Sequence, residues 1–88
     1  MRHLITNQKI IDGSFHELRD KLSGRLNQKG MHSFASSHEV SGIMTEEYTE
    51  MLDAIKENDI MQLRHELYDI ALAAIWGIIS IDSELMDW

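Results

Sequence analysis

Apolar residues recur at helical spacing in three blocks of this chain, separated by short polar breaks. Phe15, Leu18, Leu22 and Leu26 step by three or four and predict a first helix over about 15–28. Asp12-Gly13 ahead of it reads as a turn. Ser14-x-x-Glu17 reads as a capping box, and Gly30 after Lys29 as the C-terminal stop. Residues 31–37 read as a loop. Ser36-x-x-Glu39 is a second capping box, and Val40, Ile43, Met44, Tyr48, Met51, Leu52 and Ile55 form an apolar stripe. A second helix is therefore expected over about 37–57. Asn58 can close it in the left-handed conformation, and Asp59-x-x-Gln62 can cap a third helix at once. So short a link predicts an antiparallel helical hairpin.

The third helix is expected over about 60–80. Leu63, Leu67 and Ile70 give its first half one apolar face, with Arg64 and residues 57–59 left in water. Its second half, residues 70–79, is apolar on every side, and a helix of that kind has to be covered all round. Three helices do not suffice. The expected fold is all-α: an antiparallel helical hairpin plus an N-terminal helix, completing a four-helix-type core by oligomerisation as a homodimer or homotetramer. The tail from Ser80 onward is expected to form a short helix that packs Leu85 and Trp88 on the partner.

Composition narrows this reading. Eighty-eight residues suit one domain with a modest core. With no proline, nothing interrupts long helices. With no cysteine, no disulfide supports the fold, which agrees with a reducing compartment. Eight Lys plus Arg against fifteen Asp plus Glu leave a net charge of −7, a poor match to a nucleic acid polymer. The ten apolar residues of 70–79 fall short of the roughly 20 that a membrane span needs. Residues 1–7 lack the apolar core of a signal peptide. A cytoplasmic protein without membrane contact is the expectation.

The candidate chemistry lies in two acidic pairs, Glu47-x-x-Glu50 and Glu66-x-x-Asp69. A spacing of three puts both members of a pair on one helix face. Ile43, Glu47, Glu50 and Ala54 form a row beside the apolar stripe of the second helix. Gln62, Glu66, Asp69 and Ala73 form the matching row on the third. Antiparallel pairing about Asn58 sets Glu50 against Glu66 and Glu47 against Asp69. Four converging carboxylates repel one another, and a hard cation such as Mg²⁺ relieves that repulsion.

Glu46-Glu47-x-x-Glu50, a helical hairpin and then Glu66-Leu67-x-Asp69 resemble the E-x-x-E…E-x-x-D signature of the MazG-like, all-α nucleoside triphosphate pyrophosphohydrolases. The loop at Lys29-Gly30 and the run Ser37-His38-Glu39-Val40 are similar to small members of that family, and the likeness covers about residues 15–80. The resemblance implies cleavage of an NTP or dNTP between its α- and β-phosphates, releasing pyrophosphate and a monophosphate. It implies Mg²⁺ (or Mn²⁺) on Glu47, Glu50, Glu66 and Asp69, lowering the pKa of a bound water. Glu46 matches an acidic residue that often precedes the first ligand, where it would assist that water. The family works as dimers or tetramers. No basic residue stands in a matching position to clamp the phosphates. By proximity in sequence the candidates are Arg25, Lys29 and Lys56, of which Lys29 is chosen for its place at the loop leading to the site.

The remaining candidates read as structure. His32 and His38 lack zinc spacing and any supporting cysteine. Ser36 and Ser37 read as capping residues, and Trp76 as core or interface more than as a stacking platform. The alternative function is a non-catalytic helical assembly or interaction module that retains the same hairpin and possesses metal binding at most.

Overall fold

The computed structural model describes residues 1–88, and it is all helical. The helices are α1 (Gln8–Gln28), α2 (Ser37–Lys56) and α3 (Ile60–Asp82). α2 and α3 form the expected antiparallel hairpin, while α1 packs on α3 and does not meet α2 at backbone distance. α2 and α3 start close to where the sequence places them. α1 begins seven residues earlier than the expected start near residue 15. Its N-cap is Asn7, whose side chain accepts the amides of Lys9 and Ile10. Asp12-Gly13 is therefore helix and not turn. One glycine costs a helix interior only about 1 kcal/mol, and the turns on either side carry it through. Ser14 and Glu17 do not form a cap. The Ser14 carbonyl receives the Tyr68 hydroxyl, and Glu17 pairs with Arg64 across to α3.

The other boundary signals act as their chemistry requires. The Ser36 side chain caps the Glu39 amide, and Glu39 reaches back to the amide of Ala35. Asp59 caps the Gln62 amide. All three helices end on a residue of positive φ: Gly30 at 74°, Asn58 at 56° and Glu84 at 58°. In each case the next amide reaches back to the helix, as Met31 to Leu26, Asp59 to Ala54 and Leu85 to Ser80. This is the pattern of a Schellman turn.

The tail differs from expectation. It is no helix, and its backbone pairs with the loop before α2. The Asp87 amide donates to the Ala35 carbonyl at 2.9 Å, and the Ser37 amide donates to the Asp87 carbonyl at 3.1 Å. Leu85 and Trp88 are left exposed. The clamped loop inserts Phe34 into the core, where its amide donates to Ser80 Oγ at 3.0 Å. Ser80 Oγ in turn donates to the Trp76 carbonyl at 2.9 Å. This junction fixes the far end of the hairpin from the Asn58 turn.

The buried seam also lies one row away from the expected stripe. Ala54, Glu66, Leu72, Ala73, Gly77 and Ser80 are buried along the α2–α3 interface, while Tyr48, Ile55 and Leu67 are about half exposed. The rows that carry the carboxylates are therefore the ones that face each other. α1 has no buried residue at all. No helix is long and apolar enough to cross a membrane.

Ser80→Ala leaves the Phe34 amide buried without an acceptor. We predict a loss of about 1–3 kcal/mol, measured by urea unfolding. A variant as stable as the parent would show that this junction does not anchor the loop.

Candidate metal and anion site

The hairpin register brings the four acidic residues together. One carboxylate oxygen from each of Glu47, Glu50, Glu66 and Asp69 lies within 4.8 Å of the other three. α2 supplies the first two and α3 the others, each pair one turn apart on the facing rows. Glu66 is only 4% exposed, a rare position for a carboxylate without a cationic partner. Its Oε1 accepts from the Gln62 amide group, but Oε2 is buried and has no hydrogen-bond partner, and Glu47 Oε2 is in the same condition. A buried carboxylate oxygen left unpaired is costly. Asp69 is the one member with basic side chains beside it, the Arg25 cation and the His65 imidazole. Arg25 Nη2 lies 3.4 Å from its Oδ1, and His65 Nε2 lies 3.4 Å from its Oδ2.

The electrostatics follow from this crowding. Burial, then the negative charges of Asp69, Glu50, Glu66 and Glu46, push the Glu47 carboxyl up from 4.5 to about 7. Glu50 is raised as well. The close approach of the Glu66 carboxyl is the main cause, followed by desolvation and by the charges of Glu66 and Glu46. An all-oxygen donor set with two orphaned buried oxygens fits a hard divalent cation. His65, Glu66 and Asp69 form a second group of three with the same reach, but it includes only one of the orphaned oxygens.

Beside the carboxylates opens a cleft of about 460 Å³, within the size range of small-molecule sites. Glu46, Glu47 and Asp69 line its acidic side, and Arg25 and Lys29 its basic side. Lys29 is placed there by the end of α1, where it is the C-cap. Glu46 is exposed at the mouth. Lys56, in the last turn of α2, does not line the cleft. Phe34 and Trp76 form an aromatic wall, stacked with centroids 5.3 Å apart and planes 11° from parallel. Trp76 Nε1 donates to the His32 carbonyl at 2.9 Å, which fixes the indole edge. Trp76 is thus a cleft residue as well as a packing one. Phe34 is a residue that sequence reasoning passed over. Its signal was the one aromatic side chain in an otherwise mostly polar loop. His38 does not line the cleft, whereas His32 does.

No protein-family model, curated protein or solved structure matches this chain.

The folded chain holds protons on Glu47 and Glu50 more tightly than the unfolded chain does. For Glu47 the contribution to stability is complete below about pH 4.5 and is lost as pH rises through about 7, and the raised Glu50 carboxyl acts in the same direction. With chelator present, the Glu47 contribution alone is predicted to lower stability across that window by roughly 1–2 kcal/mol after allowance for solvent screening. Glu47→Gln should flatten the dependence and raise the melting temperature above neutral pH. A divalent cation should reverse the sign, because only the ionised carboxylates bind it. Melting curves against pH, with Mn²⁺ and with chelator, check all three expectations. A flat profile in the parent would contradict the shared burial of these groups.

Proposed function

We propose that this chain is a Mg²⁺-dependent nucleotide pyrophosphohydrolase, hydrolysing an NTP or dNTP to the monophosphate and pyrophosphate. The observation that carries the reading is the buried, half-unpaired Glu66 at the meeting point of four carboxylates, directly beside a cleft with a basic and an aromatic side. The support is geometric and chemical. The MazG-like signature in Glu46, Glu47, Glu50, Glu66 and Asp69 points to the same reaction.

Glu47, Glu50, Glu66 and Asp69 would hold the cation, which when bound supplies positive charge to the phosphates and acidifies water. Everything else falls to the chain's own groups. Lys29 and Arg25 neutralise the polyphosphate from the α1 side of the cleft. Glu46, exposed at the mouth, can take the proton of an attacking water. The Phe34–Trp76 wall offers an aromatic surface to a base. Gln62 keeps one Glu66 oxygen oriented, so that the other points into the cluster.

We further infer a homodimer or homotetramer. A folded monomer of 10.2 kDa exposes about 5,300 Å², whereas this chain exposes 7055 Å². The excess, roughly 1,700 Å² per chain, is what one side of an obligate interface covers. Its radius of gyration of 14.7 Å also exceeds the roughly 12 Å of a compact chain of this length. Tyr48, Ile55, Leu67 and Ile78, about half exposed, give that surface its apolar character. The same excess favours the second reading, a non-catalytic helical assembly module, which needs the interface and not the cluster.

Two measurements separate the readings. Incubation with a panel of NTPs and dNTPs plus Mg²⁺ should release pyrophosphate. Glu66→Gln and Asp69→Asn should each lower the rate by more than about 100-fold, the upper end of what even outer-shell partners of a metal cost. Sedimentation should give a multiple of the chain mass. An oligomer with no turnover of any nucleotide would leave the assembly module as the function.

A further inference from the structure

α1 is attached to the hairpin in an unusual way. None of its residues is fully buried, and Ile11, Leu18, Leu22 and Leu26 are only half-buried. Besides the Tyr68 hydroxyl on the Ser14 carbonyl, two charged contacts tie it to α3. In its middle, Glu17 receives both terminal nitrogens of Arg64, at 2.7 and 3.3 Å. The Tyr68 ring lies below the cations of Arg64 and Lys21, at 4.9 and 5.4 Å. Near its C-terminal end, Arg25 reaches Asp69 at 3.4 Å. The first contact is remote from the acidic cluster. The second falls on one of its members.

Among the four carboxylates only Asp69 has any ion pair, and Arg25 is its one permanently charged partner. Arg25 does not reach the orphaned oxygens of Glu47 or Glu66. It therefore offsets the cluster's charge from the rim without filling its centre. Its side chain is 47% exposed and lines the cleft beside Lys29. A divalent cation at the centre would compete for Asp69 Oδ1 and would repel the guanidinium. Because α1 has no fully buried side chain, a shift of its end disturbs only half-buried apolar contacts such as those of Leu22 and Leu26. The guanidinium already stands at the cleft wall, where a phosphate oxygen is the natural replacement for the carboxylate it gives up.

We propose that Arg25 is a placeholder with two positions: on Asp69 when no cation is bound, and on the substrate's phosphates once a cation has taken Asp69. Arg25 thereby couples cation binding to phosphate recognition and to the seating of the α1 end. This rests on the reading of the four carboxylates as a divalent cation site.

Arg25→Gln tests it, with Arg25→Lys and Lys29→Gln as comparisons. The first readout is Mn²⁺ binding to the nucleotide-free protein by calorimetry. Arg25→Gln should bind Mn²⁺ about 2–5-fold more tightly, the factor that corresponds to releasing one half-exposed ion pair. Lys29→Gln removes the same charge from the cleft but breaks no pair with the cluster, so its gain should be smaller. The second readout is binding of a non-hydrolysable nucleoside triphosphate with Mn²⁺ present. It should weaken at least about 10-fold in Arg25→Gln and recover in part in Arg25→Lys. The third is amide hydrogen exchange at the end of α1. Mn²⁺ alone should speed it in the parent, the analogue should slow it again, and Arg25→Gln should show no response to Mn²⁺. Equal or weaker Mn²⁺ binding in Arg25→Gln, with the parent binding normally, would overturn the placeholder and leave the cation site standing. Loss of Mn²⁺ binding in the parent itself would overturn both.

Discussion

Four carboxylates in the seam of one helical hairpin are the constraint on which the rest of this molecule depends. The rows that face each other across α2 and α3 bury Ala54, Leu72 and Ala73, but they also bury Glu66 and half-bury Glu47 and Asp69. Apolar contact draws the two helices together, and mutual repulsion of the acids drives their middle apart. The chain meets that conflict in three partial ways. Protons remain on Glu47 and Glu50 to unusually high pH. Gln62 satisfies one oxygen of Glu66. Arg25 offsets Asp69 from outside. Neither Gln62 nor Arg25 reaches the two unpaired oxygens at the centre, and the proposed cation would satisfy both.

The remainder of the hairpin holds this strained region in place from its ends. At one end, the Asn58 turn and the Asp59 cap set the register with local chemistry alone. At the other, the tail pairs with the loop before α2, and that loop buries Phe34 against Ser80 and Trp76. The second junction has a functional consequence. It builds the aromatic wall of the cleft and thereby gives the acidic cluster a neighbouring space of ligand size. Stability and the candidate site are thus joined through the same few residues.

α1 contributes differently. It supplies the basic side of the cleft through Arg25 and Lys29, yet none of its side chains is fully buried. A helix so placed leaves much of its surface exposed, in keeping with the excess exposed area of the whole chain. In the proposed oligomer, a second copy would cover that surface. The fold would then be complete only as an assembly, as is common for chains whose core is this small.

Much of this was legible in the sequence, because it is local. The caps at Ser36 and Asp59, the stops at Gly30 and Asn58 and the helical periods of α2 and α3 depend on residues within one or two turns. The convergence of Glu47, Glu50, Glu66 and Asp69 was legible too, since a short turn leaves an antiparallel hairpin only one register. The start of α1 was misread because Gly13 and Ser14 have chemistry suited equally to a turn and to a tolerated helix interior. The seam was misplaced by one row because apolar periodicity marks which residues avoid water, not which neighbour covers them. Tertiary structure alone decided that Arg25 sits on Asp69, that Glu17 serves Arg64 and not a cap, and that Phe34, Trp76 and the tail enclose a cleft. Those contacts join residues more than forty positions apart, and their geometry comes from how the elements pack. What the sequence determined by itself was the hairpin and its charge. Whether that charge would be solvated or buried was settled only when the two acidic rows met face to face.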